Sequence, residues 1–402
     1  MRRSFLVTIL VLALLASLAP HAAARAPWKR RIDRYARGHS ISISVRDHGK
    51  VLYQHAAKTR RTPASNEKLL VSMALLDRVP SKLRIKTIAA AASPAVGVVP
   101  GDVWLLGRGD PTVTGGGRYG RRLPMTPTRL GKLARRMDEA GIVRIEGSII
   151  GSTSYFGRDH FAPGWKPNFP AEEVPLPSAL SYEGNVHKGN HTATPERRAA
   201  KRLTRLLEKR GVRVRGAPTA GPTPGGLTRI AIVRSAPLAH LLRYMNRTSS
   251  NFFAEMLGKR LAVESGRRPG TIAGGAAALE GWARRRGVDV QAFDASGLSY
   301  QNRVSANGTT KLLTYTEEQP WGPTLRTTLA GADEGTLDDR LGGVKLRAKT
   351  GTLTNISTLS GWVWLRRTKS WAEFSIMSNG MYKSTAADIE DDIVRELTRS
   401  AR

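Results

Sequence analysis

Residues 63–79 constrain this chain more than any other stretch. Pro63-Ala64-Ser65-Asn66-Glu67-Lys68 opens a run in which Leu69, Leu70, Met73, Leu76 and Val79 recur at helical spacing until Pro80 stops them. A helix of that pattern belongs in a core, and it carries Ser65 and Lys68 with it, one turn apart on one face. A lysine amine held beside a serine hydroxyl can take its proton, which turns a weak nucleophile into an acylating one. The spacing alone decides little, since a chain of this length holds on the order of one or two Ser-x-x-Lys tetrapeptides by chance. A helix N-cap followed by a solvated lysine explains the tetrapeptide equally well.

The 402 residues suffice for two or three domains, or for one domain with a large insertion, and 40% hydrophobic residues make a packed core the expectation. Residues 1–24 have the parts of a secretory signal. Arg2 and Arg3 precede the apolar stretch 5–19, and Ala22-Ala23-Ala24 offers small residues for cleavage. The apolar stretch is short for a membrane span, and an uncleaved anchor is the lesser alternative. The expected location is therefore outside the cytoplasm, in the periplasm or the extracytoplasmic wall. The chain has no cysteine, which excludes disulfides, zinc–thiolate sites and a cysteine nucleophile. Its net charge of +32 fits electrostatic contact with anionic wall polymers or a membrane surface. The basic residues are dispersed rather than gathered in a basic helix or an aromatic-interleaved strip, which argues against nucleic acid.

Residues 28–35 read as a short helix. Residues 41–45 and 51–53 read as a hairpin turning at Asp47-His48-Gly49. From residue 83 short β-like runs (86–92 and 102–106) alternate with Gly- and Pro-rich turns, and two amphipathic helices follow (127–140 and 195–209). Helical patterning resumes at 238–245, 252–263 and 275–286. Three strand candidates (345–349, 358–365 and 372–377) and a closing helix (386–399) complete the chain. The expected fold class is α+β: an antiparallel sheet made by both chain ends and covered by helices, with a large α+β insertion. The expected division is a signal at 1–24, a catalytic unit at 25–82 and 235–402, and an inserted accessory unit at 83–234.

The tetrapeptide has companions. Lys349-Thr350-Gly351-Thr352 follows the alternating run Val344-Lys345-Leu346-Arg347-Ala348, which suggests an edge-like strand. Glycine there would let a ligand's backbone lie close, and lysine offers a cation to an anionic group. Ser249-Ser250-Asn251 lies between two helices, where its hydroxyl could pass a proton and its amide could fix a peptide or the lysine. Ser305-Ala306-Asn307 has the same Ser-x-Asn form but reads as the N-cap of the helix holding Leu312 and Leu313. Ser-x-x-Lys, Ser-x-Asn and Lys-Thr-Gly in this order are the signature of penicillin-binding proteins and class A β-lactamases.

Further segments narrow the resemblance: Gly107-Arg108-Gly109-Asp110-Pro111-Thr112, Ala162-Pro163-Gly164-Trp165, Asp294-Ala295-Ser296-Gly297-Leu298-Ser299 and Lys349-Thr350-Gly351-Thr352-Leu353. With Pro63–Lys68 they resemble the D-alanyl-D-alanine carboxypeptidases/endopeptidases of the class C low-molecular-mass penicillin-binding proteins, over nearly the whole chain. The resemblance implies a penicillin-binding-protein/β-lactamase-like transpeptidase fold with an inserted accessory region. A subdomain often nested in that region would be reduced here, because residues 180–196 are too few to hold it. Ser250 stands where relatives often carry aspartate.

The resemblance also implies roles. Ser65 attacks the penultimate D-alanine carbonyl, Lys68 is its general base, and Ser249 relays the proton to the leaving amine. Asn251 positions substrate and Lys68. Lys349, with Thr350 and Thr352 around Gly351, binds the terminal carboxylate. The N–H groups of Ser65 and Thr352 form the oxyanion hole. A neutral Lys68 would need burial and a neighbouring cation such as Lys349. The substrates are peptidoglycan stem peptides ending in D-Ala-D-Ala, β-lactams are covalent inhibitors, and no cofactor or metal is implied.

Other signals carry less. Gly115-Gly116-Gly117-Arg118-Tyr119-Gly120 matches Gly-x-Gly-x-x-Gly, but Pro124 follows rather than a helix start, so a flexible loop is expected. His187 and His191 flank Gly189 and Asn190 and read as exposed loop residues, with 185–194 an exposed loop. Asp110 and Asp294 read as turn caps and Lys345 as surface. A β-lactamase or esterase on the same fold, and a wall-binding protein that kept the scaffold, are the alternatives. Four intact polar residues at the site count against the second.

Overall fold

The computed structural model describes residues 26–95 and 97–401, so the expected leader lies outside the described residues. Helix α1 (Pro27–Ala36) leads into the hairpin β1 (Ile41–Asp47) and β2 (Lys50–His55). A 3₁₀ turn (Ala64–Asn66) then opens α2 (Glu67–Arg78). Strands β3 (Arg84–Ala91), β4 (Val103–Gly107), helix α3 (Leu130–Glu139), β5 (Ile149–Ser152), helix α4 (Pro195–Glu208), β6 (Thr219–Gly221) and β7 (Thr228–Pro237) follow. Helices α5 (Leu238–Thr248), α6 (Asn251–Glu264), α7 (Ile272–Arg284) and α8 (Ala306–Glu317) come next. The chain closes with β8 (Leu346–Leu353), β9 (Ile356–Leu365), β10 (Ser370–Asn379) and α9 (Lys383–Ser400).

The two chain ends meet in one antiparallel sheet of order β8-β9-β10-β1-β2, with β1 paired to β10 from Ile41 opposite Ser378 to Asp47 opposite Ala372. One face packs under α1 and α9, where Trp28, Ile32, Ile43, Phe374, Ile376, Val394 and Leu397 are buried together. The other face is lined with small polar residues. Ser44 Oγ lies 2.8 Å from Thr310 Oγ1 of α8, and Ser360 Oγ donates to Ser375 Oγ at 2.9 Å. A polar seam of this kind is tolerated in a core only because each hydroxyl has a partner.

Helix α2 crosses the middle of the molecule, with ten consecutive residues from Glu67 to Leu76 buried. Its apolar positions pack with Leu241, Met245, Phe253, Leu257, Leu279 and Leu313 from α5 to α8. A helix buried on every side has no solvent face for a lysine, so Lys68 is fully buried with it.

Strands β3 to β7 make a second sheet of order β6-β5-β4-β3-β7, with parallel and antiparallel neighbours. Helix α3 turns Leu130, Leu133, Ala134 and Met137 onto it and α4 turns Ala199, Ala200, Leu203 and Leu207, each at three- and four-residue spacing. These side chains and those of the sheet form a hydrophobic cluster of their own, from Ala89 to Val233.

Two loop expectations need correction. The glycine-rich stretch runs directly into a short helix, Arg118–Arg122, because Glu183 fills the loop. Its carboxylate accepts the N–H groups of Gly115 and Gly117 and the hydroxyl of Thr114, so one carboxylate satisfies donors that an open loop would leave to water. Residues 185–194 are also more ordered than a plain loop. Val186–His187 pairs with Asn190–His191, and Asn185 is buried, donating its side-chain N–H to Leu176 O. Among the described residues no helix is long and apolar enough to cross a membrane.

Candidate active site

The 3₁₀ turn places Ser65 at the entrance of α2, and its tension is visible one residue earlier. Ala64 has φ +48°, a conformation L-residues seldom take. Neighbouring chain holds it there. Asn66 Nδ2 donates to Ser360 Oγ at 2.7 Å, and Thr358 Oγ1 donates to Pro63 O at 2.8 Å, tying the turn to β9. Gly351 permits the approach of β8, since a Cβ there would stand 2.2 Å from Thr358 Oγ1 and 2.9 Å from the Ser65 nitrogen. The glycine of Lys-Thr-Gly thus makes room for the protein's own backbone, rather than for a ligand's as the sequence suggested.

Lys68 Nζ lies 2.9 Å from Ser65 Oγ, 2.8 Å from Asn251 Oδ1 and 2.5 Å from the Ser296 carbonyl. A neutral amine has two N–H bonds and one lone pair. Asn251 and Ser296 can take the two N–H bonds, which leaves the lone pair for the Ser65 hydroxyl. Asn251 starts α6, and Ser249 precedes it as the left-handed cap of α5 at φ +55°. Lys349 Nζ donates to Ser249 Oγ at 3.0 Å and to Thr350 O at 2.7 Å. Two lysine-centred sets of hydrogen bonds thus stand side by side, Lys68 holding Ser65 and Asn251, and Lys349 holding Ser249. Ser250 turns away, its Oγ accepting from Phe253 N as the N-cap of α6.

Burial pushes the Lys68 amine down to about 8, against the opposing attraction of the Asp294, Glu255 and Glu173 carboxylates. Burial holds Lys349 well below the usual lysine range, and the nearby Lys68 cation adds to the effect. Glu67, whose carboxylate oxygens find no hydrogen-bond partner, is raised well above the usual range by burial and by Asp294 and Glu255. A cleft of about 320 Å³ opens onto this apparatus, lined by Ser65, Ser249, Asn251 and Thr352 with Lys166, Phe169, Glu173, Leu298 and Tyr300.

Residues 34–173 and 182–400 match the D-Ala-D-Ala carboxypeptidase 3 (S13) family. The chain belongs to that family. It is a serine hydrolase of the carboxypeptidase kind, in a class C low-molecular-mass penicillin-binding-protein lineage. It is 29% identical over 350 residues to a carboxypeptidase of Mycobacterium tuberculosis, covering 82% of this chain and 74% of that one. It is 24% identical over 443 residues to the D-alanyl-D-alanine carboxypeptidase of Actinomadura sp. strain R39, covering 88% and 80%. The fold matches penicillin binding protein 4 from Haemophilus influenzae with a TM-score of 0.77 at 19% identity, over 92% of this chain and 99% of that one.

Within this S13 chain the expected site residues do not all face the cleft. Ser65, Ser249, Asn251 and Thr352 line it. Lys68 and Lys349 stand behind Ser65 and Ser249, with no exposed surface. Thr350 is turned aside, its Oγ1 donating to Thr336 Oγ1 at 2.6 Å. The second Ser-x-Asn, at Ser305, accepts from Gly308 N and caps α8 as expected. Asp294 also behaves as a turn residue, though a central one. It accepts from the N–H groups of Gly297 and Ser299, from Asn302 Nδ2 and from Trp165 Nε1, so the Ala162–Trp165 and Asp294–Ser299 segments are bound together. Asp110 likewise accepts from Thr112 N, and Lys345 lies 3.6 Å above the Trp364 ring.

Three site residues escaped the sequence reading: Glu255, Ser296 and Gly297. Glu255 follows Asn251 by four residues, on the same helix face, which is the signal that would have found it. Gly297, at φ +80°, passes so close to the nucleophile turn that a Cβ would stand 1.8 Å from Ala64 O. Among the described residues no group of three or more histidines and acids is arranged to hold a metal ion.

Proposed function

We propose that Ser65 is the nucleophile, Lys68 its general base, and the 320 Å³ cleft the seat of a D-Ala-D-Ala terminus of a peptidoglycan stem peptide. The observation that carries this reading is Lys68 Nζ at 2.9 Å from Ser65 Oγ, inside a core that holds its pKa at about 8. Ser65 Oγ adds to the carbonyl carbon of the penultimate D-alanine as its proton passes to the Lys68 lone pair. The N–H groups of Ser65 and Thr352 take the oxyanion. The proton returns through Ser249 to the amine of the departing D-alanine, the C–N bond breaks, and the acyl group stays on Ser65. Water then releases it.

Lys349 holds Ser249 and meets the substrate's terminal carboxylate together with Thr352, while Thr350 serves the strand by bonding Thr336. An arriving carboxylate favours the charged form of Lys349 that burial disfavours. Asn251 fixes Lys68 and the peptide. Residues 83–234 serve as an accessory unit carried on the catalytic unit of 25–82 and 235–402. Action on peptidoglycan places the protein outside the cytoplasm, in the periplasm or the wall, and cross-linked stem peptides are a second substrate for the same cleft. A neighbour of matching fold, penicillin binding protein 4 from Haemophilus influenzae, has been crystallised with a β-lactam, which supports β-lactams as covalent inhibitors here.

Fluorescent penicillin tests the reading. Wild type takes the label and Ser65→Ala does not; equal labelling overturns the acyl-enzyme. A pentapeptide ending in D-Ala-D-Ala then releases D-alanine. Rapid turnover of penicillin with no release from the peptide would make the protein a β-lactamase instead.

A further inference from the structure

Outside the Ser65 cleft, two adjoining cavities of about 310 and 190 Å³ share Arg108, Tyr155 and Arg268. The first also takes Arg84, Lys86 and Arg260; the second takes Ser152, Ser154 and Thr223. The cations come from separate elements: Arg84 and Lys86 from β3, Arg108 just after β4, Arg260 from α6, and Arg268 from the loop before α7. The Arg108 guanidinium lies 4.5 Å from the Tyr155 ring centre and that of Arg260 lies 6.0 Å from it, so one aromatic face collects two arginines. Arg260 is paired with Glu264. Among the described residues the other four have no carboxylate within ion-pair distance. Four of the five like charges have no carboxylate of their own, and a bound anion would offset their mutual repulsion. Burial, and the Arg260 and Arg268 cations, hold Arg108 below the usual arginine range, in keeping with that crowding.

We propose that these cavities bind successive phosphodiester groups of a flexible wall polymer. Arginine forks match phosphate oxygens, and hydroxyl groups line the cavity beside them: Ser154 Oγ accepts from Thr223 N and keeps its own proton to donate, while Ser152 and Thr223 share one hydrogen bond and leave one proton between them. The larger cavity exceeds the needs of a lone ion and suits a phosphorylated polyol unit. Among the described residues the exposed large apolar side chains, Val51, Val143, Phe161 and Tyr382, line neither cavity, so none of them offers the site a wedge into a bilayer. Neither cavity shares a residue with the Ser65 cleft, so the site stands independently of the catalytic reading.

Anisotropy of a short labelled oligo(glycerol phosphate) tests the site on the full chain. Wild type binds, and Arg108→Ala with Arg268→Ala weakens binding about tenfold or more. Removing the same charge elsewhere, by Arg366→Ala with Arg367→Ala, two exposed residues that line neither these cavities nor the Ser65 cleft, changes it less than about twofold. Equal losses in the two double variants, or no binding by wild type, overturn the proposal. So does binding to anionic phospholipid vesicles without binding to the oligomer. Penicillin labelling of Ser65 reports folding in each variant. Should the Arg108 variant fail to fold, Lys86→Ala with Arg268→Ala, two exposed residues, gives the same readout.

Discussion

Glu255 accepts the backbone N–H of Ser296 at 2.7 Å, and the carbonyl of the same Ser296 accepts from Lys68 at 2.5 Å. The carboxylate also takes the Ala295 N–H at 3.0 Å, so it fixes the strip of chain that aims the lysine amine. It acts on Lys68 through charge as well, opposing the depression that burial causes. Glu255→Gln is expected to slow acylation by penicillin about tenfold. It should also move the pH profile of acylation to lower pH, because the lysine loses a stabilising anion. A rate change with an unmoved profile would reduce Glu255 to a structural support.

The pH profile itself follows from Lys68. Burial sets its pKa at about 8, so the neutral, proton-accepting form grows as pH rises to 8. Acylation of wild type should increase about tenfold per pH unit below that value and level off above it. Lys68→Arg, which cannot give up its proton, should cut acylation by about a thousandfold or more. Stopped-flow labelling across pH 5–10 measures both.

Gly297 separates two kinds of glycine cost. A Cβ there meets Ala64 O at 1.8 Å, beside the nucleophile, whereas Gly343, at φ +75°, has nothing within 4 Å. Gly343→Ala should cost about 1 kcal/mol, the left-handed penalty alone. Gly297→Ala should cost about 2–4 kcal/mol and abolish penicillin labelling even where the protein stays folded. Urea unfolding together with labelling distinguishes them; labelling retained in Gly297→Ala would contradict the packing argument.

Much of this was legible in the sequence, because it rests on local pattern. The hydrophobic spacing after Ser65 located α2, and alternation before Lys349 located the edge strand β8. The three motifs announced one another by order. What escaped depends on contacts between distant segments. Nothing near Glu255 in sequence says that it reaches Ser296, and nothing near Gly117 says that Glu183 fills its loop. Thr350 and Thr352 are indistinguishable as letters. Only the packing of Thr336 against one of them shows which faces the cleft.

Glu373 offers a stability test away from the site. It is buried on β10, one carboxylate oxygen lacks a partner, and burial raises its pKa to about 7 from an ordinary 4.5. The fold therefore favours the protonated form. This contribution is complete below pH 4.5 and is lost as pH rises through 7. Glu373→Gln, neutral at every pH, should stabilise the protein by about 1–3 kcal/mol at pH 8 and by almost nothing at pH 4.5. Thermal unfolding at the two pH values decides it; an equal gain at both would point to packing rather than charge.

The sheet shared by the two chain ends has a temporal meaning. Ser65 and Lys68 leave the ribosome well before β10, the partner of β1, and β8, which carries Lys349. Until they arrive, β1 and β2 have only each other, and an isolated hairpin is marginal in water. A nascent or C-terminally clipped chain holds its nucleophile and base with no sheet to brace the turn between them. Reactivity thus depends on strands that the chain supplies some three hundred residues after the nucleophile.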